Sequence, residues 1–495
     1  MDSITNHPEV LAVIIGLPLF GILSKVFGVS LRNIAKRYLY IAIFAVVIVM
    51  DSMFFPFIGG KDYFFRFSVE LSLIFFVLAW AYEMRAGELK ALLRGIFRKP
   101  LVIAATAFAA AYLLACAFAY DAYAAFWSNY ERGEGGFQMI HYWLFFILLT
   151  LLLKTERDWQ NMFKFSLAAA ALMILYGIGG SLTLPGFIGP WSGASSIPAS
   201  WIQKLIGNRF QGSLGNAEYV GVYLLFSMFF TGYLWIKRKE KGNMGAAAHW
   251  GFGVLTAAFL LFFLLSQTRG AFLGLGIAVF ALVLYWAIAS RGKFRKWSIA
   301  GVIVVLALGG GVWSLRNTSL VENMPGGRLL QISLHASDVN TRFMVWGEAW
   351  KGFLERPVTG WGPENFTAVF DKFFNPGFYN PANPAGSQTW FDRAHSVFFD
   401  YLSETGIIGL LAYLSMFVAF FVEFRRRRNG EAPHGAGTIM ERGLILALPI
   451  AYLVQGAALF DVLPMYVSLF TFMGFAYYYF YERRAHGEPH QASHG

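Results

Sequence analysis

Residues 250–290 read WGFGVLTAAFLLFFLLSQTRGAFLGLGIAVFALVLYWAIAS. Two long apolar runs, 250–266 and 270–290, make up this stretch, and Arg269 is its only charged residue. A helix that crosses a bilayer needs about 20 mostly apolar residues. The stretch therefore predicts two membrane-spanning helices joined by a very short turn, with Arg269 held at the membrane surface.

The rest of the chain has the same apolar character. Of its 495 residues, 57% are hydrophobic and only 14% are charged, and the mean hydropathy is +0.51. Soluble chains carry roughly 25% charged residues, and a single water-soluble core stops growing near ~250–300 residues. We therefore predict an all-α polytopic membrane protein. Cys116 is the only cysteine, which excludes an intrachain disulfide and a thiolate metal site.

The apolar runs predict about 12 or 13 transmembrane helices. The predicted spans are 9–28, 38–57, 67–84, 101–120, 137–153, 162–182, 218–236, 250–266, 270–290, 298–315, 396–424, 443–461 and 463–481. The first run lacks a basic leader and a small-residue cleavage site, so we interpret it as a span and not a signal peptide. Residues 1–315 would carry the first ten spans, 316–395 a long outer loop, 396–481 the last three spans and 482–495 a cytoplasmic tail.

Lys and Arg set the predicted orientation, because cytoplasmic loops are enriched in them. Most of the 40 basic residues lie in one set of alternate loops, within 25–37, 85–99, 154–164, 237–241, 291–296, 425–442 and 483–484. This places the N-terminus outside and the C-terminus inside. Short basic tracts between apolar runs are typical of such loops, so the net charge of +11 does not indicate nucleic-acid binding.

Two outer segments are long, 183–217 and 316–395, and loops of that length are usually functional or disordered. In the second, Asp338 can cap a helix that Pro357 stops after Arg356. Its aromatic residues recur at helical spacing and predict a face that packs on the membrane domain or lies at the interface. They are Phe343, Trp346, Trp350 and Phe353. A turn at 359–363 follows.

Two candidate site segments precede or join spans on the outer side. Asn208–Asn216 contains Arg209 and glycines that allow a ligand to approach the backbone; the alternative is a snorkelling interfacial arginine. In Ser266–Gly270, Arg269 has little freedom, and its guanidinium suits bidentate phosphate contact. The alternative is a topogenic or structural arginine, although the positive-inside rule disfavours arginine on this side.

Two more candidate segments follow the long loop. Trp390–Ser396 holds Arg393 and His395, and a histidine that opens a span can act as acid, base or donor near a helix N-terminus. A satisfied interfacial histidine is the alternative. In Ser403–Gly409, Glu404 either orients an arginine or serves structure, and structure is favoured. Its glycines would let helices pack closely.

No cofactor or metal ion is predicted from the sequence. It contains no Walker-type loop, no Rossmann fingerprint and no HExxH segment, so the energy of any reaction must come from the substrate. Several arginines and one histidine at headgroup depth on the outer side fit a lipid-linked phosphate or diphosphate. A transporter or flippase of such a lipid is the alternative from another class, but no duplicated halves are visible and the arginines lie at one surface.

At these residues the chain resembles the bacterial O-antigen ligase family, which includes O-antigen polymerases and protein O-oligosaccharyltransferases. The resemblance rests on segments in the family's order, closely over 205–420, and elsewhere on hydropathy alone. These segments are Arg209–Asn216, Ser266–Gly270, Arg342 with Trp346, Pro357–Gly362, Arg393–Ser396 and Glu404–Gly409. Ser396 stands where the family usually has asparagine, and the extra first span brings the predicted number of spans above the family's usual twelve.

The resemblance implies a GT-C-type glycosyltransferase of lipopolysaccharide biosynthesis in the bacterial inner membrane, with a metal-independent site facing the periplasm. It would move a glycan from undecaprenyl diphosphate to lipid A–core, to a second lipid-linked glycan, or to a protein serine. By position, His395 would be catalytic, and Arg209 and Arg269 would bind the diphosphate. Arg342 and Arg393 are weaker diphosphate candidates, and Asn216 and Glu404 would support the site.

Overall fold

The computed structural model describes residues 21–22, 24–129, 132–189, 201–206, 209–242, 245–319, 337–379, 381, 390–430 and 436–483. Most of the predicted first span, 9–28, lies outside these residues, as do parts of both long outer segments and most of the predicted tail. Over the described residues the fold is all-helical, and no strand occurs there. The predicted fold class is confirmed at this level.

The helices that position the site are numbered here in chain order. They are α1 (Leu31–Ala42), α2 (Gly59–Tyr82), α3 (Glu88–Ile96), α4 (Pro100–Ala117), α5 (Ala122–Trp127), α6 (Gly136–Leu152), α7 (Glu156–Ser181), α8 (Trp201–Ile206), α9 (Ala217–Glu240), α10 (Ala246–Leu265), α11 (Arg269–Ala289), α12 (Gly292–Leu315), α13 (Ser337–Glu355), α14 (Phe366–Lys372), α15 (Val397–Glu404), α16 (Gly406–Gly430), α17 (Ala436–Gly456) and α18 (Leu463–Tyr477).

Local sequence explains where several helices begin. Thr155 and Asp158 form a reciprocal capping box at the start of α7, which satisfies two backbone donors that the helix itself leaves free. Pro100 begins α4, where its missing N–H costs nothing. Asn216 caps α9 by accepting a hydrogen bond from the Glu218 backbone N–H at 2.8 Å. These helix starts therefore follow from short-range chemistry.

Nine of the described helices are long and apolar enough to cross a membrane, and α6 is a shorter apolar helix. Within its most apolar stretch, α9 is 83% buried, whereas α12 is only 6% buried. α9 is therefore a central helix, and α12 shows nearly all of its apolar surface to its surroundings, as a helix at a lipid boundary does. α2 begins at Gly59, eight residues before the predicted span, because its first turns bury the charged residues Lys61 and Asp62.

The predicted span at 38–57 is wrong. α1 begins at Leu31, continues as a short 3-10 helix over Ile43–Val47, and the chain then turns back before α2. Ser30 caps its start, accepting from the Asn33 backbone N–H. The prediction omitted the basic first half of α1, whose Lys36 bonds Asp158 of α7 at 3.0 Å. Buried or paired charges thus extended the helix beyond its apolar run.

The predicted span at 396–424 is also wrong, because the chain breaks at Gly406. That glycine has φ +62°, and a Cβ there would overlap the Val358 carbonyl oxygen. α15 is therefore a short helix that continues the predicted loop segment, and α16 is the membrane-length helix. His395 accordingly precedes a short loop helix and does not open a span. Gly406 admits a turn of the loop and does not serve the expected helix packing.

The predicted helix before Pro357 is confirmed as α13, but Asp338 lies inside the helix and does not cap it, and the buried face differs from the prediction. Val345 and Ala349 are fully buried in a small apolar core beside α14 and α15. Trp346 stacks on Phe399 at 5.2 Å between ring centroids, but two of the predicted face residues, Phe343 and Trp350, are 52% and 48% exposed. The helix is anchored by its small residues and one tryptophan.

Candidate functional site

Two of the predicted arginines meet on one carboxylate. Glu218, in the first turn of α9, has its Oε1 3.6 Å from Nη2 of Arg209 and 3.6 Å from Nη2 of Arg342. All three side chains are between 22% and 30% exposed. Arg342 also donates to the backbone carbonyls of His395, at 3.3 Å, and Ala458. The structure thus brings α9, α13 and the His395 segment together at one cationic centre.

The Ser266–Gly270 turn lies against the same centre. Arg209 donates from Nε to the Ser266 carbonyl at 3.2 Å, and Thr268 donates from Oγ1 to the Ala217 carbonyl at 2.9 Å. Gln267 has φ +50°, which closes the turn between α10 and α11 within a few residues. Arg269 begins α11 immediately afterwards and is half-buried. The predicted short turn is confirmed, and it joins the first two candidate segments into one surface.

His395 is held in one orientation by its own segment. Its Nδ1 lies 3.0 Å from the Arg393 carbonyl oxygen, and its ring meets the edges or faces of Phe391 and Phe460. A carbonyl oxygen can only accept, so Nδ1 is the donor, and Nε2 of the neutral ring is left as an acceptor. The residue has φ +56°, an uncommon conformation outside glycine that is often found at functional sites.

The pKa of His395 is lowered from its ordinary value. Burial is the main cause, because it disfavours the imidazolium, and the nearby Arg342 lowers the pKa further. The hydrogen bond to the Arg393 carbonyl and the carboxylates of Glu218 and Asp392 oppose this shift. The net lowering of this pKa keeps the imidazole ring neutral at pH 7, so Nε2 can accept a proton.

Arg393 is used differently from the other arginines. Its guanidinium is 5% exposed and donates from Nη1 to Oε1 of Glu404 at 2.7 Å and from Nη2 to Oε1 of Glu364. Glu404 also accepts from the Glu364 backbone N–H at 3.1 Å. This buried triad ties the 359–363 turn to α15 and to the His395 segment. Its geometry favours structural roles for Arg393 and Glu404.

A further charged pair was missed by the sequence reasoning. Arg132 donates to Asp392 and, at 3.2 Å, to the Tyr219 hydroxyl, and its guanidinium lies 5.0 Å from the Phe460 ring centroid. Burial would raise the pKa of Asp392, but Arg132 outweighs it and lowers that pKa. The signal was present, because Arg132 lies in a short loop that the basic residues predict to be on the outer side, where the positive-inside rule disfavours arginine. The same argument had been applied only to Arg269.

Other polar residues in or near the predicted spans have varied partners. Glu218 pairs with arginines, but Asp461 accepts from the hydroxyls of Tyr452, Tyr401 and Tyr413. His141 lies 3.0 Å from Glu70. Among the described residues, no group of three or more His, Cys, Asp or Glu side chains is arranged to hold a metal ion.

Comparison with known proteins bears on the segment that contains most of this site. No curated protein matches the chain. A family model described as O-antigen ligase matches residues 252–414, a range that includes Arg269, Arg342, Arg393, His395 and Glu404 but not Arg209. The helices make the chain a multi-pass membrane protein, and within residues 252–414, about a third of its length, it is similar to the O-antigen ligase family.

Proposed function

We propose that the chain transfers a glycan from undecaprenyl diphosphate to an acceptor hydroxyl at the outer face of the bacterial inner membrane. One observation carries the proposal: Arg209 and Arg342 converge on Glu218 beside a histidine whose Nε2 is set as an acceptor. The O-antigen ligase match supports a lipid-linked glycan as the substrate class. A GT-C-type arrangement of the spans and a periplasmic site belong to the same proposal.

The arginines would bind the diphosphate of the donor lipid. Guanidinium groups pair with phosphate oxygens in a bidentate way and stay charged at any physiological pH. Glu218 holds Arg209 and Arg342 together against their mutual repulsion, which preorganises them for an anion. Arg269, next to Thr268 in the adjoining turn, would complete the cationic surface. Developing charge on the departing diphosphate would be stabilised most strongly by such preorganised donors.

His395 would act as the general base. Its Nε2 takes the proton from the acceptor hydroxyl as that oxygen attacks the anomeric carbon of the donor sugar. The carbon–oxygen bond to the diphosphate breaks, and the electron pair leaves with undecaprenyl diphosphate. Attack opposite to the leaving group inverts the anomeric centre. The long outer loop, anchored through α13 and the Arg393 triad, would exclude water during transfer.

Three acceptors are considered, and each would define a different enzyme. With lipid A–core as the acceptor the protein would be a ligase, and with a second lipid-linked repeat it would be a polymerase. These two are favoured equally. A protein serine is the third acceptor. A flippase is the remaining alternative from a different class: it would move the lipid unchanged, whereas a transferase releases free undecaprenyl diphosphate.

The test uses the full chain in proteoliposomes with a lipid-linked glycan and each acceptor in turn. His395→Ala should abolish transfer and release of undecaprenyl diphosphate while leaving expression unchanged. His249→Ala is the matched control, because His249 is exposed near Trp235 at the opposite end of α9. Transfer near the wild-type rate in the His395 variant would remove its catalytic role, and movement of the intact lipid without release of diphosphate would favour the flippase.

A further inference from the structure

A second cleft lies at the other end of the membrane domain. It has a volume of about 460 Å³ and is bounded by α7, α9 and α10. Along α9, Arg238 in its wall lies 20 residues from Glu218, which is about 30 Å at 1.5 Å per residue. The positive-inside rule places this end in the cytoplasmic leaflet. The cleft is therefore separate from the glycan-transfer site.

The mouth of this cleft is cationic. Lys237 is buried and paired with Glu441 at 2.6 Å and Glu240 at 2.8 Å. Lys164 and Arg238 are exposed, and no ion pair joins either of them to a described residue. Lys241 is exposed too, with a carboxylate of Glu156 3.9 Å away. At least two positive charges at the mouth are thus left without a close counter-charge.

The inner part of the cleft is apolar. Its lining residues recur three, four or seven positions apart on each helix, so one face of each helix forms the wall. Leu167 and Leu234 lie about one turn from the basic residues of α7 and α9, towards the interior of those helices, and α10 contributes only apolar residues, among them Phe252 and Leu255. Gly251 leaves room beside them, because a Cβ added there would meet no atom within 4 Å.

We propose that this cleft binds an anionic glycerophospholipid of the cytoplasmic leaflet. The phosphate and an anionic headgroup would lie between Lys164 and Arg238, and an acyl chain would follow the apolar wall. Basic pockets between transmembrane helices on the cytoplasmic side suit this class of lipid. A soluble phosphate would leave the apolar wall in water, and a zwitterionic lipid would place its own cation among these charges.

The occupant would also support α10. Only 17% of the most apolar stretch of α10 is buried within the protein, and α10 packs chiefly on α9. A lipid between α7 and α10 covers a further face of this helix. Since α10 ends at the Ser266–Gly270 turn, the bound lipid would steady one wall of the outer site from the opposite leaflet.

Native mass spectrometry of the detergent-purified full chain tests the proposal with phosphatidylglycerol and phosphatidylcholine of identical acyl chains. Wild type should bind phosphatidylglycerol more tightly. Lys164→Gln with Arg238→Gln should weaken phosphatidylglycerol binding about 25-fold, at about five-fold for each basic side chain, and leave phosphatidylcholine binding unchanged. Lys239→Gln with Lys293→Gln is the matched control, since both side chains are exposed outside the cleft.

A second pair of variants separates shape from charge. Gly251→Leu fills the cleft and should weaken binding of both lipids, whereas Gly253→Leu, whose Cβ also meets open space but outside the cleft, should bind like wild type. Equal affinity of wild type for the two lipids, or an equal loss in the charge control, would overturn the proposal. Displacement of phosphatidylglycerol by an equal concentration of inorganic phosphate would also overturn it. Glycan transfer is not the readout, so the result is independent of the proposed function.

Discussion

Replacing Arg393 by alanine should destabilise the protein before it affects substrate binding. Arg393 is 5% exposed and lies between Glu404, at 4%, and Glu364, at 8%. Its removal leaves two buried carboxylates without their counter-charge. Breaking a buried ion pair by deleting one partner costs about 3–5 kcal/mol, a large part of the stability of a typical domain. We expect Arg393→Ala to lose most of its resistance to unfolding.

Cys116 provides the assay for this prediction. It is the only cysteine in the sequence and is 3% exposed, so a thiol-reactive fluorogenic dye reports its exposure as the purified chain is heated. Arg393→Leu combined with Glu404→Gln should recover part of the lost midpoint temperature, because one uncompensated charge is removed as well. Arg157→Ala, an exposed arginine at the start of α7, should change stability by no more than about 0.5 kcal/mol.

If Arg393→Ala unfolds at the wild-type temperature but loses glycan transfer, Arg393 contacts the substrate, as the family resemblance implied. In that case the triad with Glu364 and Glu404 would not support the loop, and the structural role assigned here would be wrong.

Three further predictions concern Arg209, His395 and the turn at Gly406. Arg209→Gln should lower transfer about 10²–10³-fold, the usual cost of losing one preorganised donor, whereas Arg356→Gln, which removes an arginine stacked on a loop tryptophan at 4.6 Å, should retain most activity. Transfer should fall as pH drops through the lowered pKa of His395, because protonation removes the base; a rate–pH profile below neutrality measures this. Gly406→Ala should cost roughly 1–3 kcal/mol of stability through its positive φ, and Gly276→Ala, with open space around its Cβ, should not.

Each of these predictions has a clear contrary outcome. Full transfer by Arg209→Gln would remove that arginine from the diphosphate site. A rate that is constant from neutral pH to well below the ordinary histidine pKa would exclude His395 as the base. Equal thermal midpoints for the two glycine variants would show that the turn at 406 tolerates a side chain.

The sequence was most informative where apolar runs and short turns decide the structure. The 250–290 stretch forms two helices joined at Ser266–Thr268, because bilayer thickness fixes helix length and the apolar runs mark it. The sequence was least informative about where a helix begins when its first turns contain charged residues. Lys61 and Asp62 are buried in the first turns of α2, and hydropathy excluded them from the span because it scores each side chain without its partners.

The candidate site was predicted in part. The segments around Arg209, Arg269 and His395 were selected from the sequence, and for Arg269 the reason was that arginine is disfavoured at the outer surface. Their mutual contacts depend on tertiary packing, which the sequence does not show. Glu218 pairs with Arg209 and Arg342, and Asp392 pairs with Arg132, and most of these partners are far apart along the chain. Ser396 replaces the family's usual asparagine after the histidine, and only the structure shows that the Arg393 carbonyl orients the His395 ring.

The most direct test of the central claim is an electron cryomicroscopy structure of the protein in lipid nanodiscs with undecaprenyl diphosphate. The proposed function predicts that the diphosphate lies within hydrogen-bond distance of the guanidinium groups of Arg209, Arg269 and Arg342. His395 Nε2 should face the terminal phosphate, where the anomeric carbon of a donor sugar would be attached. Diphosphate density far from these arginines and from His395 would contradict the site assignment.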